Sequence, residues 1–152
     1  ANDPVKRIKL AYEALKILNK ENELIICGME DPKFGKYMGV VKDDKLGELY
    51  NKSKIVLLPS KAEGLGLTMI EGMVCGSVPI VCSDNLTAKE FISDEFVAEP
   101  NPESIKNKIE EINKNYEKFH KLSLEYAEKF KIQFNKKTIA KNIIDIFSKY
   151  KK

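Results

Sequence analysis

This sequence alternates short apolar runs with longer segments of helical spacing, and that alternation constrains the fold more than any other feature. Five segments are predicted as strands: residues 24–28, 38–41, 55–59, 78–82 and 96–98. Helical spacing or helix-start residues predict helices over residues 3–19, 67–74 and 87–92. Three further helices are predicted to begin at Asp43 or Asp44, at residue 101 with a break near Asn115, and at about residue 136. Strands that alternate with helices form a parallel sheet with helices on both faces. The predicted fold class is therefore α/β, with a doubly wound parallel sheet.

Size and charge exclude several classes of protein. The 152 residues are enough for one hydrophobic core but not for two. The net charge of +3 gives no indication of nucleic-acid binding. No stretch approaches the ~20 consecutive apolar residues of a membrane span. The first residues lack the basic and apolar regions of a secretion signal, so we expect a cytoplasmic protein.

The cysteines favour the same compartment. Cys27, Cys75 and Cys82 each lie in an apolar run, and no pair has the close spacing of a metal or redox site. We expect three free thiols packed in the core of a protein from a reducing cytoplasm. Arg7 is the only arginine among the 26 basic residues, so it is the single candidate for bidentate guanidinium recognition.

The loop after the strand at 55–59 has the residues expected of a ligand site. Ligands of open α/β sheets bind at the carboxyl ends of strands. Here Gly64 and Gly66 precede a helix, whose free N–H groups favour an anion such as a diphosphate. Glu63 and Glu71 are acceptor-only carboxylates that suit hydroxyl donors such as a sugar diol. A second interpretation stays open, because a glutamate such as Glu71 on a helix is more often simply solvated.

A dinucleotide site is the alternative for the same loop. Gly64-x-Gly66 between a strand and a helix, with Asp84 at the end of the next strand, partly imitates the dinucleotide-binding fingerprint. Two details count against that hypothesis. Met69 stands where the fingerprint needs a third small residue for close helix–strand packing. The first glycine also comes several residues after the strand instead of in a tight turn.

Residues 59–81 form a longer motif that reads PSxxEGLGLxxxEGMxxGxxPIV. It resembles the signature PSxxEGFGLxxxEAMAxGxPVV of the family 4 retaining glycosyltransferases of GT-B fold (glycosyl transferases group 1) at about fifteen positions. Weaker resemblance covers residues 39–50 and the closing segment 134–150. The resemblance implies a Rossmann-like fold, that of the C-terminal, donor-binding domain of such an enzyme. It also implies transfer of a sugar from a nucleoside diphosphate sugar to an acceptor hydroxyl, in polysaccharide, glycolipid or glycoconjugate synthesis.

The resemblance implies a role for each matching residue. Lys6 would neutralise the leaving diphosphate, Glu63 would face the donor sugar, and these two are the catalytic candidates. Glu71 would hold the ribose hydroxyls. The other donor-binding positions would be Gly28, Val40, Val41, Gly64, Leu65, Gly66, Leu67 and Thr68. No metal or other cofactor is implied. On its own, a lysine such as Lys6 in a first helical turn is usually just solvated.

The resemblance also implies parts that this sequence does not contain. Residues 1–130 would form the nucleotide-sugar-binding domain, and residues 131–152 its closing helix, which packs toward an acceptor-binding N-terminal domain. That domain would bind a glycan or lipid and supply a catalytic histidine, so we expect the isolated chain to transfer nothing. The family's arginine would fall at Ala1, and the strand that carries it is missing. The strands at Leu24 and Ile55 would then pair directly or leave a gap, and we expect the sheet to borrow a strand or to be repacked.

Other features have simpler explanations. Leu65 and Gly72 replace a usual Phe and Ala, which indicates altered packing. His120 is expected at the surface, with no role as a general base. Lysines at 136, 137, 141, 149, 151 and 152 could approach the anionic inner face of a membrane, although a solvated helix face explains them as well. A last hypothesis is that the domain keeps the fold but serves as a scaffold or pairing module.

Overall fold

The computed structural model describes residues 3–150, and the side chains of residues 3–148. Ala1, where the family's arginine is expected, lies outside this range, as do Lys151, Lys152 and the side chain of Lys149. The elements in chain order are α1 (Ile8–Ile17), β1 (Ile25–Ile26), β2 (Lys36–Tyr37), α2 (Asp43–Lys52), β3 (Ile55–Leu58), α3 (Leu67–Val74), β4 (Val78–Cys82), α4 (Leu86–Lys89), β5 (Val97–Ala98), α5 (Pro102–Lys114), α6 (Tyr116–Gln133) and α7 (Lys136–Tyr150). Among these helices, none is long and apolar enough to cross a membrane.

The strands form two parallel sheets instead of one. β1 pairs with β2, and β3, β4 and β5 form a second sheet in that order. Within the described residues no pairing joins β1 to β3. The α/β class and the parallel pairing are as predicted, whereas direct pairing of the strands at Leu24 and Ile55 is not observed among the described residues.

The core forms where helices pack on the three-stranded sheet. β4 is buried along its whole length, as expected of a central strand covered on both faces. α3 contacts β3 and β4, and both α5 and α6 contact β4. α1 packs on α5, and α3 packs on α6. The largest fully buried side chains include Met69, Met73, Phe96 and Phe119. This packing fixes the carboxyl ends of β3 and β4 relative to the start of α3.

Several predicted boundaries are wrong, among them those of β1 and α4, which are shorter than predicted, and backbone geometry explains three others. α1 begins at Ile8 instead of Pro4, because Arg7 takes the left-handed conformation with φ 48°. β2 ends at Tyr37 instead of continuing to Val41, because Gly39 turns the chain with φ 69°. Lys42 is the N-cap of α2, so neither Asp43 nor Asp44 caps it. The predicted bounds of α3 and β4 match the structure.

The cysteines and the histidine also differ from expectation. Cys82 is buried, but Cys27 and Cys75 are only half-buried, because they follow the ends of β1 and α3 instead of lying within them. His120 is half-buried as well, and its ring stacks on Tyr116 with the centroids 5.4 Å apart. The prediction of fully buried thiols is therefore wrong for two of the three cysteines, and His120 is not a simple surface residue.

Candidate functional site

The loop between β3 and α3 lies at the carboxyl end of the three-stranded sheet and is fixed by hydrogen bonds from neighbouring side chains. Buried Asn85 donates through Nδ2 to the carbonyl oxygen of Ser60 at 3.1 Å. Ser60 in turn donates through Oγ to Glu63 Oε1 at 2.6 Å. The loop enters α3 through Gly66, the N-cap, whose φ of 75° lies in the region that favours glycine. These contacts fix the loop without covering it.

Several amides of this loop have no hydrogen-bond acceptor among the described residues. Among the hydrogen bonds of residues 3–150, none uses the backbone N–H of Gly64, Leu65, Gly66, Leu67 or Thr68 as donor. Gly64, Leu67 and Thr68 are exposed. The N-terminus of a helix carries a partial positive charge and free N–H groups, which together favour an anion. Leu65 is half-buried and Gly66 is buried, so only the positions of Gly64, Leu67 and Thr68 leave the predicted anion site accessible.

Lys6 and Glu63, predicted from distant parts of the sequence, are in contact. Lys6 Nζ lies 2.8 Å from Glu63 Oε1 and 3.0 Å from Oε2. The lysine side chain is 50% exposed, while that of the glutamate is 14% exposed. The N–H of Lys61 donates to the carbonyl oxygen of Val5 at 2.8 Å, which ties the segment before α1 to the loop. The ammonium group therefore stands beside the loop while one side of it remains open to solvent.

Glu71 lies one turn into α3, on the wall of a separate cavity. The cavity has a volume of about 340 Å³ between α2 and α3 and is lined by Asp43, Leu46, Gly47, Tyr50, Glu71, Val74 and Cys75. Tyr50 donates through its hydroxyl to Glu71 Oε2 at 3.3 Å. Burial and the nearby Glu71 carboxylate raise the pKa of Tyr50, so its hydroxyl keeps the proton it donates. Glu71 is exposed, and only one of its oxygens accepts this bond.

The remaining predicted positions lie at the other sheet. The N–H of Gly28 donates to the carbonyl oxygen of Gly39 at 2.9 Å, and Tyr37 donates through its hydroxyl to Gly28 O at 2.7 Å. Val40 is exposed and Val41 is half-buried. In the described part of the chain, no hydrogen bond or ion pair connects Gly28, Val40 or Val41 to the Lys6–Glu63 pair.

One strong contact at this edge was missed by the sequence argument. Arg7 donates through Nη1 to Asp84 Oδ2 at 2.8 Å, through Nη2 to Asp84 Oδ1 at 2.7 Å, and through Nε to Pro59 O at 2.9 Å. This pairing lowers the pKa of Asp84 and raises that of Arg7. The only available signal was that Arg7 is the single arginine. Because its carboxylate is engaged, Asp84 is not free for the ribose contact that a dinucleotide fingerprint requires.

Comparison with known proteins shows the family of the chain. Residues 2–130 match the family described as Glycosyl transferases group 1. The chain belongs to this family. It is 42% identical over 67 residues to O-antigen chain mannosyltransferase B of Escherichia coli, a match that covers 43% of this chain but only 17% of that relative.

Solved structures show the fold of this group 1 domain. Sucrose-phosphate synthase from Thermosynechococcus elongatus superimposes with a TM-score of 0.83 and 19% identity, over 97% of this chain and 43% of that chain. Anabaena HepE in complex with UDP and glucose gives a TM-score of 0.78 and 17% identity, over 97% of this chain and 46% of that chain. The fold is that of the C-terminal domain of GT-B glycosyltransferases.

Proposed function

We propose that this chain is the donor-binding domain of a retaining glycosyltransferase, which moves a sugar from a nucleoside diphosphate sugar to an acceptor hydroxyl. The proposal rests on one observation: the unpaired amides of residues 64–68 lead into α3, directly after Glu63 of the Lys6–Glu63 pair and within one turn of Glu71 along the chain. Amides and an ammonium group suit a diphosphate, while carboxylates suit hydroxylated rings. The complex of HepE with UDP and glucose supports a ligand of this kind.

In the proposed reaction, the leaving diphosphate gains negative charge as its bond to the sugar breaks. Lys6 and the amides at the start of α3 would stabilise that charge because the protein holds them in place before the reaction. Glu63 would orient Lys6 and face the sugar. Glu71 would accept hydrogen bonds from the ribose hydroxyls, since one of its oxygens is left free by Tyr50. This assignment needs no metal ion.

The acceptor would reach the site from a second domain, as the family resemblance implies. α7 supports this view, because it presents a row of exposed apolar side chains: Ile139, Ile143, Ile144, Ile146 and Phe147. We assign this face to the acceptor-binding domain and, as the alternative, to the inner face of a membrane. Co-sedimentation of the chain with anionic vesicles would favour the membrane, and its absence would favour the acceptor-binding domain. The isolated chain would bind a donor but transfer no sugar.

Calorimetric titration with UDP, GDP, ADP and NAD tests the proposed function. We expect at least one nucleoside diphosphate to bind more tightly than NAD, and EDTA to leave that affinity unchanged. Preference for NAD would favour the dinucleotide hypothesis. Failure of every nucleotide and nucleotide sugar to bind or to raise the melting temperature would favour a scaffold. Loss of binding in EDTA would contradict a site in which Lys6 and amides alone balance the diphosphate charge.

A further inference from the structure

Arg7 adopts a backbone conformation that side-chain-bearing residues rarely take. Its φ of 48° and ψ of 34° are left-handed, at the residue that immediately precedes α1. Such a conformation persists only where the surrounding structure enforces it, and it is often found at functional sites. Here the side chain of Arg7 supplies part of the enforcing contacts, and its N–H supplies another by donating to the carbonyl oxygen of Asp3 at 3.1 Å.

The guanidinium of Arg7 joins the ends of two strands. It donates twice to Asp84, which follows β4, and once to the carbonyl oxygen of Pro59, which follows β3. The Arg7 side chain is 18% exposed, so the bonds are shielded from solvent on most sides. One residue before Lys6, the Val5 carbonyl is also tied to the loop through Lys61. Lys6 therefore lies between two anchored residues.

We propose that Arg7 is a positioning residue that acts through Lys6. By fixing the backbone on Asp84 and Pro59, Arg7 holds the half-exposed Lys6 side chain against Glu63, beside the free amides of the loop. A lysine carries a flexible stem, and ordering such a side chain on binding is unfavourable. Anchoring it beforehand removes part of that penalty. This inference rests on the proposed role of Lys6 at the diphosphate.

A double-mutant cycle distinguishes positioning from direct contact. UDP and GDP are titrated into the wild-type chain and into Lys6→Ala, Arg7→Ala and the double variant, with uridine and guanosine as probes without phosphates. If Arg7 acts through Lys6, Arg7→Ala weakens the diphosphates by about 5–10-fold, and the double variant is no weaker than Lys6→Ala. The nucleosides bind as before. Lys9→Ala, an exposed neighbour on α1, is the matched control and leaves all affinities unchanged.

Arg7→Lys provides a second variant if Arg7→Ala fails to fold. Lysine keeps the charge but cannot form the bidentate pair, so we expect the same loss of diphosphate affinity. If the fold-loss of diphosphate affinity in the double variant equals the product of the two single losses, the inference is overturned, because Arg7 would then contact the diphosphate itself. Unchanged affinity in both Arg7 variants would overturn it as well.

A measurement without nucleotide separates this inference from the proposed function. The labelling rate of the Lys6 amine by acetic anhydride, followed by mass spectrometry, reports whether the amine is held against Glu63. We expect labelling of Lys6 to be faster in Arg7→Lys than in the wild-type chain, while labelling of Lys9 stays the same. Equal rates at Lys6 would overturn the inference even if diphosphates bind. Failure of the wild-type chain to bind any diphosphate, with the expected labelling, would refute only the proposed function.

Discussion

At the scale of single residues, the carboxyl edge of the sheet depends on ion pairs between segments far apart in sequence. Asp84 accepts two hydrogen bonds from Arg7, and this interaction lowers the pKa of Asp84 more than partial burial raises it. Arg7 itself stays charged at all ordinary pH values, since its pKa is raised further. The state of the pair is therefore decided by the carboxylate.

The Arg7–Asp84 pair makes part of the folding stability dependent on pH. Because the pKa of Asp84 is lower in the folded chain, its stabilisation is complete above its ordinary value of about 3.9 and is lost as pH falls through the folded pKa. We expect Asp84→Asn to lower the melting temperature at pH 7. Between pH 7 and pH 3, the melting temperature of the variant should fall less than that of the wild type. Melting curves by circular dichroism measure both. Identical pH dependence in the two chains would contradict this assignment.

Glu71 carries the corresponding prediction for ligand binding. Glu71→Ala removes the proposed acceptor of the ribose hydroxyls, so nucleotide binding should weaken by about 1.5–3 kcal/mol, the usual worth of a hydrogen bond to a charged group. Tyr50→Phe deletes only the 3.3 Å bond that orients Glu71 and should have a smaller effect. Calorimetry with the tightest-binding nucleoside diphosphate measures both. An unchanged dissociation constant in Glu71→Ala would show that Glu71 has another role.

The sequence predicted some of these residue contacts and not others. The resemblance of the motif at 59–81 and of the lysine near the start of the chain to the family pattern predicted roles for Glu63 and Lys6 at one site, and the structure shows the two side chains in contact. The Arg7–Asp84 pair could not be predicted, because the two residues are 77 positions apart and their contact depends on a left-handed turn at Arg7. Arginine has no preference for that conformation, so the sequence carries no local signal of it.

At the scale of elements, α3 packs closely against β3 at Gly72. An ideal Cβ added to Gly72 would lie 2.7 Å from Cγ1 of Val56 and 2.9 Å from its Cβ. Both Val56 atoms belong to a stiff, β-branched side chain on β3, so neither moves easily. The close approach of α3 to β3 explains why glycine stands where the related motif has alanine.

This contact predicts opposite effects for two glycine-to-alanine changes. Gly72→Ala should destabilise the chain by about 1–3 kcal/mol through overpacking. Gly47→Ala, in α2 with nothing within 4 Å of the added Cβ, should stabilise it by about 1 kcal/mol through helix propensity. Urea denaturation measures both changes. The Val56→Ala/Gly72→Ala double variant should be more stable than the sum of the single changes predicts, and strict additivity would contradict the proposed clash.

Element boundaries were predictable where side-chain pattern alone determines them. α3 and β4 matched because continuous apolar runs are bounded by glycines at Gly66 and Gly76. The start of α1 and the position of β2 were wrong because backbone turns at Arg7 and Gly39 override the local pattern. The N-cap of Asn101, by contrast, follows the usual rule, since its side chain accepts from the N–H of Ser104 at 2.8 Å.

At the scale of the whole molecule, the two sheets differ in how deeply their strands are buried. β4 is completely buried between β3 and β5, whereas β1 and β2 form a two-residue ladder on their own. Regions with few buried contacts open locally at low free energy. We expect amides of residues 25–37 to exchange with deuterium much faster than those of 78–82, as measured by mass spectrometry. Equal protection of both segments would contradict independent sheets.

The division between the sheets also means that the stability of this domain could depend on a polypeptide that binds to it. One edge of β3 pairs with β4, and no strand among the described residues pairs with its other edge, so the peptide groups along that edge lack a strand partner. A polypeptide stretch that paired with this edge would extend the sheet and bind only the folded form of the domain. By mass action, the resistance of the domain to heat would then rise with the concentration of that stretch.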